Sequence, residues 1–235
     1  MKTTLSTLRN ILPQIPIIGP IVSKTYLKIL ERRFNGSEQY WIDRYATGGN
    51  SGSGSYEELA TFKAEFLNAF VAEHNIDTVI EYGCGDGNQL QMATYPRYIG
   101  FDVSPDALCL CRETFQSDTT KTFKLMTEYD QEQAALTLSL DVLYHLVEDS
   151  VFQAYMTRLF TSSTQFVIIY SSDSDSQNDI QAPHVKHRQF TTWVQTNMPQ
   201  WHLIQHIPNK YPSAAHHSEG YQADFYVYQR TENAD

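Results

Sequence analysis

Cysteine is scarce in this sequence: Cys84, Cys109 and Cys111 are the only three in 235 residues. They form no Cys-x-x-Cys pair and show no zinc-type spacing. An odd, sparse set fits a reducing, cytoplasmic setting better than a disulfide framework. Basic charge is also short, with 17 Lys and Arg against 27 Asp and Glu and a net charge of −10. Such a chain repels a phosphate backbone, so no nucleic-acid partner is expected. No apolar run is long enough to span a bilayer. The richest one, residues 11–22, is broken by Pro13, Pro16, Gly19 and Pro20. It also lacks the small-residue cleavage site of a signal peptide. No Gly-x-Ser-x-Gly elbow surrounds a serine, which disfavours a hydrolase.

What remains is ordinary globular material, 41% hydrophobic and 19% charged, enough for one domain with an appended segment. The appended part is 1–36. Residues 1–33 carry six Lys or Arg against Glu31 alone, so the rest of the chain carries −15. This basic, apolar stretch reads either as a strap packed on the domain or a partner, or as a peripheral membrane contact. The domain proper is 37–235.

Residues 47–55, Thr-Gly-Gly-Asn-Ser-Gly-Ser-Gly-Ser, look like a linker by composition. A helix follows, with Leu59, Ala60, Phe66, Leu67, Phe70 and Val71 at three- and four-residue steps, and Lys63 alone breaking the stripe. Strands are then predicted at 78–82, 98–102, 122–126, 136–140 and 166–170, with helices between most of them. One helix is capped by Ser104 ahead of Pro105 and another by Ser150. A polar stretch, 171–188, precedes a helix at 190–196 and two strands, 201–207 and 223–229. The alternation predicts a Rossmann-like α/β fold: a three-layer αβα sandwich around a seven-stranded, mostly parallel sheet. The last two strands, joined by a loop, are expected as an antiparallel hairpin.

The strongest chemical signal is Val79-Ile80-Glu81-Tyr82-Gly83-Cys84-Gly85-Asp86-Gly87-Asn88. A buried strand runs into glycines at alternate positions, which permit positive φ and a close ligand approach. Twenty-one residues after Glu81, the next strand ends in Asp102, where an acid typically holds ribose hydroxyls. A dinucleotide fingerprint wants Gly-x-Gly-x-x-Gly, but position 88 is Asn and Gly87 comes one residue early.

The pattern Glu-x-Gly-x-Gly-x-Gly resembles motif I of the class I S-adenosylmethionine-dependent methyltransferases. Gly100-Phe101-Asp102-Val103-Ser104 is similar to that family's ribose-binding segment, and Ser139-Leu140-Asp141-Val142-Leu143-Tyr144-His145-Leu146 to its fourth-strand motif. The resemblance covers roughly residues 56–230 and implies S-adenosylmethionine as cofactor. It places Gly83, Cys84 and Gly85 against the methionine part with Glu81 nearby, Asp102 on the ribose hydroxyls and Val103 on the adenine. Leu140 and Asp141 would border the methyl group. The adenine amino contact stays open among Met126, Thr127, Glu128, Tyr129 and Asp130.

Aromatic residues Tyr40, Trp41, Tyr45 and Tyr56 flank the Gly/Ser stretch. They read either as a cover over a cationic cofactor, with Tyr45 touching it, or as core aromatics beside a linker. An oxygen acceptor needs a base, and the candidates are Asp141, His145 and His187. Asp141 and His145 would share a face if a helix begins there. Arg188 could clamp an anionic acceptor. His184-x-x-His187 lacks a third ligand of diagnostic spacing, so no metal is expected. The expected activity is methyl transfer to a small-molecule or glycan-type acceptor, with an O-methyltransferase of a sugar, lipid-linked glycan or other metabolite as the finer reading. The rivals are a nicotinamide-dependent oxidoreductase and a non-catalytic module of the same fold.

Overall fold

The structure is a computed structural model that describes residues 34–177, 181–211 and 223–231. The strap-or-membrane segment 1–33 lies outside the described residues. The seven strands are β1 (Val79–Tyr82), β2 (Tyr98–Asp102), β3 (Lys121–Leu125), β4 (Ala134–Leu140), β5 (Ser163–Ser171), β6 (Trp201–Ile207) and β7 (Asp224–Arg230). The α-helices are α1 (Ser37–Ala46), α2 (Glu57–Glu73), α3 (Pro105–Thr114), α4 (Asp149–Thr161) and α5 (Phe190–Asn197).

The strands form one sheet in the order β3-β2-β1-β4-β5-β7-β6. The first five run parallel, and β7 pairs antiparallel with both β5 and β6. Every residue of β1 and β4 is buried, as expected of central strands covered on both faces. Side chains alternate between two cores. Val79, Leu136, Leu138 and Ile168 meet Leu67, Phe70 and Val71 of α2 and Leu108 of α3. Ile80, Val167 and Ile169 meet Phe152, Met156 and Leu159 of α4 and Val194 of α5. The sandwich therefore has its three layers.

Three expectations need correction. Among the first five strands, only β2–β3 and β4–β5 are joined through α-helices. The β1–β2 and β3–β4 connections carry single 3₁₀ turns, Gln89–Met92 and Met126–Glu128. In the first case the glycine turn consumes the chain up to residue 87 and leaves too few residues before β2 for a helix. Ser150 is not a cap: α4 starts at Asp149, with Glu148 at the N-cap position. Residues 47–55 are not a free linker either, as hydrogen bonds pin them to the domain (below). By contrast, the Ser104 hydroxyl accepts the Ala107 N–H at 3.3 Å, with Pro105 opening α3 as expected.

The strand order reverses between β1 and β4, and the crevice at their carboxyl ends is where open α/β sheets take ligands. No helix among the described residues is long and apolar enough to cross a membrane.

Candidate active site

A cavity of about 370 Å³ occupies that crevice. Tyr45, Glu81, Gly83, Cys84, Gly85, Asp102, Val103 and Leu140, the whole cofactor set expected from sequence, border it. Asp141 and His145 border it as well, whereas His187 does not.

The floor is the glycine turn. Gly83, Gly85 and Gly87 have φ of 81°, 59° and 77°, left-handed values that favour glycine. A Cβ on Gly83 would lie 2.5 Å from Val142, and one on Gly85 would lie 2.3 Å from Ser51 Oγ. At Gly85 the missing side chain thus makes room for another part of this chain. Cys84 is a buried loop residue with its thiol against that of Cys111, and that contact, with burial, pushes its pKa up.

Asp102 is held from below. Its Oδ2 accepts the Gly85 N–H and its Oδ1 the Ser104 N–H, both at 2.9 Å. Burial pushes its pKa up, while these backbone bonds hold it down. Each oxygen keeps a lone pair for a further donor. Glu81 accepts the Tyr98 hydroxyl at 2.6 Å. Burial raises its pKa to about 7 against the opposing effects of that bond and of Lys63.

Lys63 was legible only as a flaw in an apolar stripe. Its side chain is fully buried, and its Nζ lies 2.5 Å from Asp141 Oδ2 and 5.3 Å from the Tyr170 ring centroid. A lysine on the buried face of a helix must find a counter-charge, which is the signal that could have marked it. The inner end of the cavity therefore holds one cation beside two carboxylates, Glu81 and Asp141.

Asp141 and His145 do not share a helix face. Asp141 has φ 62° and is followed by a 3₁₀ turn, Leu143–His145. The Asp141 carboxylate is engaged by Lys63 and by the Tyr144 hydroxyl at 3.0 Å. His145 stands differently. Its Nδ1 lies 3.0 Å from the backbone oxygen of His184, which can only accept, so Nδ1 carries the proton and Nε2 the lone pair. Burial lowers its pKa to about 4. His187 is outside the cavity, its Nδ1 2.6 Å from Ser172 Oγ. The long segment after β5 carries it past the cleft. Arg188 does not offer a clamp, because it donates to the carbonyls of Leu146 and Val147 and pairs with Asp149. Among the described residues no group of three His, Cys, Asp or Glu is placed to hold a metal ion.

The roof is α1 with the segment behind it. At one end Ser37 donates its N–H and hydroxyl to Glu148 at 3.0 and 2.6 Å. A carboxylate there suits the helix N-terminus. At the other end the Tyr45 hydroxyl lies 2.8 Å from Ser51 Oγ. Asp86 in the glycine turn closes the roof: its Oδ2 accepts the Ser51 N–H at 3.0 Å and the Tyr56 hydroxyl at 2.8 Å. Its own N–H donates to Ser51 Oγ at 3.1 Å. Burial and the Asp86 contact push the Tyr56 phenol up to about 12. Trp41 and Glu38 line the cavity from this helix. Of the five residues left open for an adenine contact, Met126 lines the cavity, while Glu128 caps the Leu125 N–H at 2.7 Å.

This fold matches solved methyltransferase structures. The N-methyltransferase NodS from Bradyrhizobium japonicum WM9 in complex with S-adenosyl-L-homocysteine superposes with a TM-score of 0.61 at 11% identity, covering 84% of this chain and 100% of that one. This chain has the class I methyltransferase fold. The methyltransferase domain of bacterial CtHen1-C gives 0.58 at 17% identity, over 72% of this chain and 97% of that one. Magnesium protoporphyrin IX methyltransferase from Synechocystis PCC 6803 with bound S-adenosylhomocysteine gives 0.57 at 13%, over 87% and 99%. No protein-family model matches the sequence, and no curated protein matches it.

Proposed function

We propose that the protein is an S-adenosylmethionine-dependent methyltransferase acting on a hydroxyl of a small or medium-sized acceptor. The observation that carries this reading is Asp102: a buried carboxylate fixed by the amide of the glycine turn it faces, in one cavity with His145. The residues fit the cofactor. The two Asp102 oxygens suit vicinal ribose hydroxyls, and Val103 and Met126 offer apolar contact for a flat base. At the inner end Lys63 suits a carboxylate and Glu81 an ammonium group, so an amino-acid tail is matched at both of its charges. When bound, the cofactor supplies an electrophilic methyl group on a sulfonium.

The chain's own work is then to align, to exclude water and to move one proton. Trp41 and Tyr45 cover the cleft. His145 Nε2 takes the proton of the acceptor hydroxyl. With its pKa near 4 the ring is unprotonated throughout the neutral range. A weak base is sufficient here, because an oxygen that gains a methyl group turns strongly acidic. Lys63 lies at the inner end of the cavity on Asp141, and Arg188 stays outside it on the Leu146 and Val147 carbonyls. Beside His145 the cavity presents the apolar surfaces of Trp41 and Leu146, which suits an uncharged acceptor better than an anionic one, and a sugar or other polyhydroxylated metabolite meets that description.

Calorimetry and thermal shift with S-adenosylhomocysteine and with NAD test the reading. Binding of the first and not of the second is expected, with Asp102→Ala weakening it about ten- to a hundredfold, the value of a charged hydrogen-bond pair. Absence of any heat with S-adenosylhomocysteine on folded protein would overturn it.

A further inference from the structure

Three rings from three separate segments lie in one pile beside the cavity. Tyr40 of α1 stacks on His184 with centroids 4.1 Å apart and planes 9° from parallel. His184 in turn stacks on His145 at 5.4 Å and 19°. The Tyr40 hydroxyl and His184 Nε2 are 3.3 Å apart. The Trp41 indole meets His145 edge-on at 4.9 Å and 75°. The His184 carbonyl fixes the protonated nitrogen of His145. The segment bearing His184 is itself seated, through the Lys186 N–H on the Tyr144 carbonyl at 2.8 Å and through Arg188 on the carbonyls of Leu146 and Val147. Helix α1 therefore reaches His145 twice, through Tyr40 and through Trp41, and is tied down by Ser37 on Glu148.

We propose that Tyr40 and His184 are positioning residues for His145: docking of α1 over the cofactor cleft clamps the pile and holds His145 as the tautomer whose Nε2 lone pair is free. The acceptor-side base is then assembled only while the roof is closed. A ring held between other rings loses orientational freedom and water, and both favour the neutral form. Around His145 the charged and titratable groups are Asp141 after β4, Tyr144 in the turn that follows, Arg44 on α1, and His184 and His187 after β5. Asp141 favours the protonated ring, while Arg44 and His187 oppose it. The proposal takes its meaning from the methyltransferase reading, but its test does not depend on turnover.

The test is nitrogen-15 NMR of the histidine rings in the full chain, with His145→Gln assigning the signal. In the native protein His145 should appear as the Nδ1–H tautomer and stay neutral down to about pH 5. Tyr40→Leu should raise its titration midpoint by about one unit or more and mix its tautomers. Tyr40→Phe, which keeps the stack, should leave both unchanged. Ser37→Ala touches no ring; it loosens α1 and frees the Val147 N–H that Ser37 Oγ accepts at 2.8 Å, and it should shift the midpoint in the same direction. That variant decides the matter if Tyr40→Leu does not fold. An unchanged His145 signal in the folded loosening variants, or an Nε2–H tautomer in the native protein, would overturn the proposal. Calorimetry with S-adenosylhomocysteine on the same samples keeps the two readings apart. Binding with an unmoved His145 sinks the clamp alone; a clamp without binding leaves the clamp standing and sinks the methyltransferase.

Discussion

At the scale of single residues, the cleft is governed by charges that cannot reach water. Lys63 and Asp141 form a pair that is nearly or fully buried. Removing one partner leaves the other uncompensated, which typically costs about 3–5 kcal/mol. Lys63→Met should therefore lower unfolding stability by that order in urea titration, and Lys63→Met with Asp141→Asn should recover much of the loss. Glu81 makes a second case. Its pKa of about 7 means that roughly half the molecules hold it protonated at neutral pH. A ligand bringing positive charge beside Glu81 favours the carboxylate, so binding releases a proton. The affinity for S-adenosylhomocysteine should rise from pH 6 to pH 8, and Glu81→Gln should flatten that profile. Calorimetry at three pH values reads both.

Residue by residue, the cofactor side was legible in the sequence and the acceptor side much less so. Glu81, the glycines and Asp102 sit at the carboxyl ends of two adjacent parallel strands, so chain spacing fixes their place in space. Lys63 escaped because its partner is 78 residues away. His187 was placed wrongly because the path of 171–188 is decided by tertiary anchors such as Ser172 and Gln177, which local pattern does not reveal.

At the scale of elements, the roof over the cleft behaves as one latched unit. Glycine and serine composition made 47–55 look slack, but composition does not report hydrogen bonds across 35 residues of sequence. Asp86 receives the Ser51 amide and the Tyr56 hydroxyl. Asp86→Ala should release both. Hydrogen exchange at the Ser51 amide should quicken about ten- to a hundredfold, the value of one or two hydrogen bonds to a charge. Dissociation of S-adenosylhomocysteine should quicken with it. Unchanged exchange would mean that Asp86 is not the latch. The strands themselves were placed within a few residues throughout, since β-branched and aromatic runs of four to nine residues leave little choice. Helices were expected between most of the first five strands, yet the β1–β2 and β3–β4 connections carry 3₁₀ turns, because alternation predicts a crossover and not what the crossover is made of.

At the scale of the molecule, two neutral imidazoles stand half-buried around the cleft. Burial holds His145 near 4 and His184 near 3, against an ordinary 6.5. The unfolded chain thus takes up protons below pH 6.5 that the folded chain refuses. Their contribution to stability should fall as pH drops from 6.5 toward 4. Glu81 acts the other way, because its folded pKa is raised, and it favours the folded state increasingly as pH drops from 7 to 4.5. Asp102, whose pKa burial also raises, acts with Glu81. Each imidazole should itself cost up to about 1.4 kcal/mol per pH unit between pH 6.5 and 4.5, checked as the difference in urea unfolding between the native protein and a His145→Gln, His184→Gln variant. A flat or opposite trend would mean that these rings are not held neutral.

The two sides of the cleft are also assembled differently along the chain. On the proposed reading the cofactor's seat is drawn chiefly from one continuous stretch, 81–103, whereas the wall around His145 is gathered from α1, the turn after β4 and the segment after β5. A change in the first stretch disturbs donor recognition at once. A change in the turn after β4 or in the segment after β5 re-cuts the wall around His145 and leaves that stretch untouched, whereas a change in α1, which carries Tyr45, reaches both sides. Lineages descended from this architecture are therefore free to acquire new acceptors by exchanging peripheral pieces, with divergence concentrated in the parts that face the acceptor.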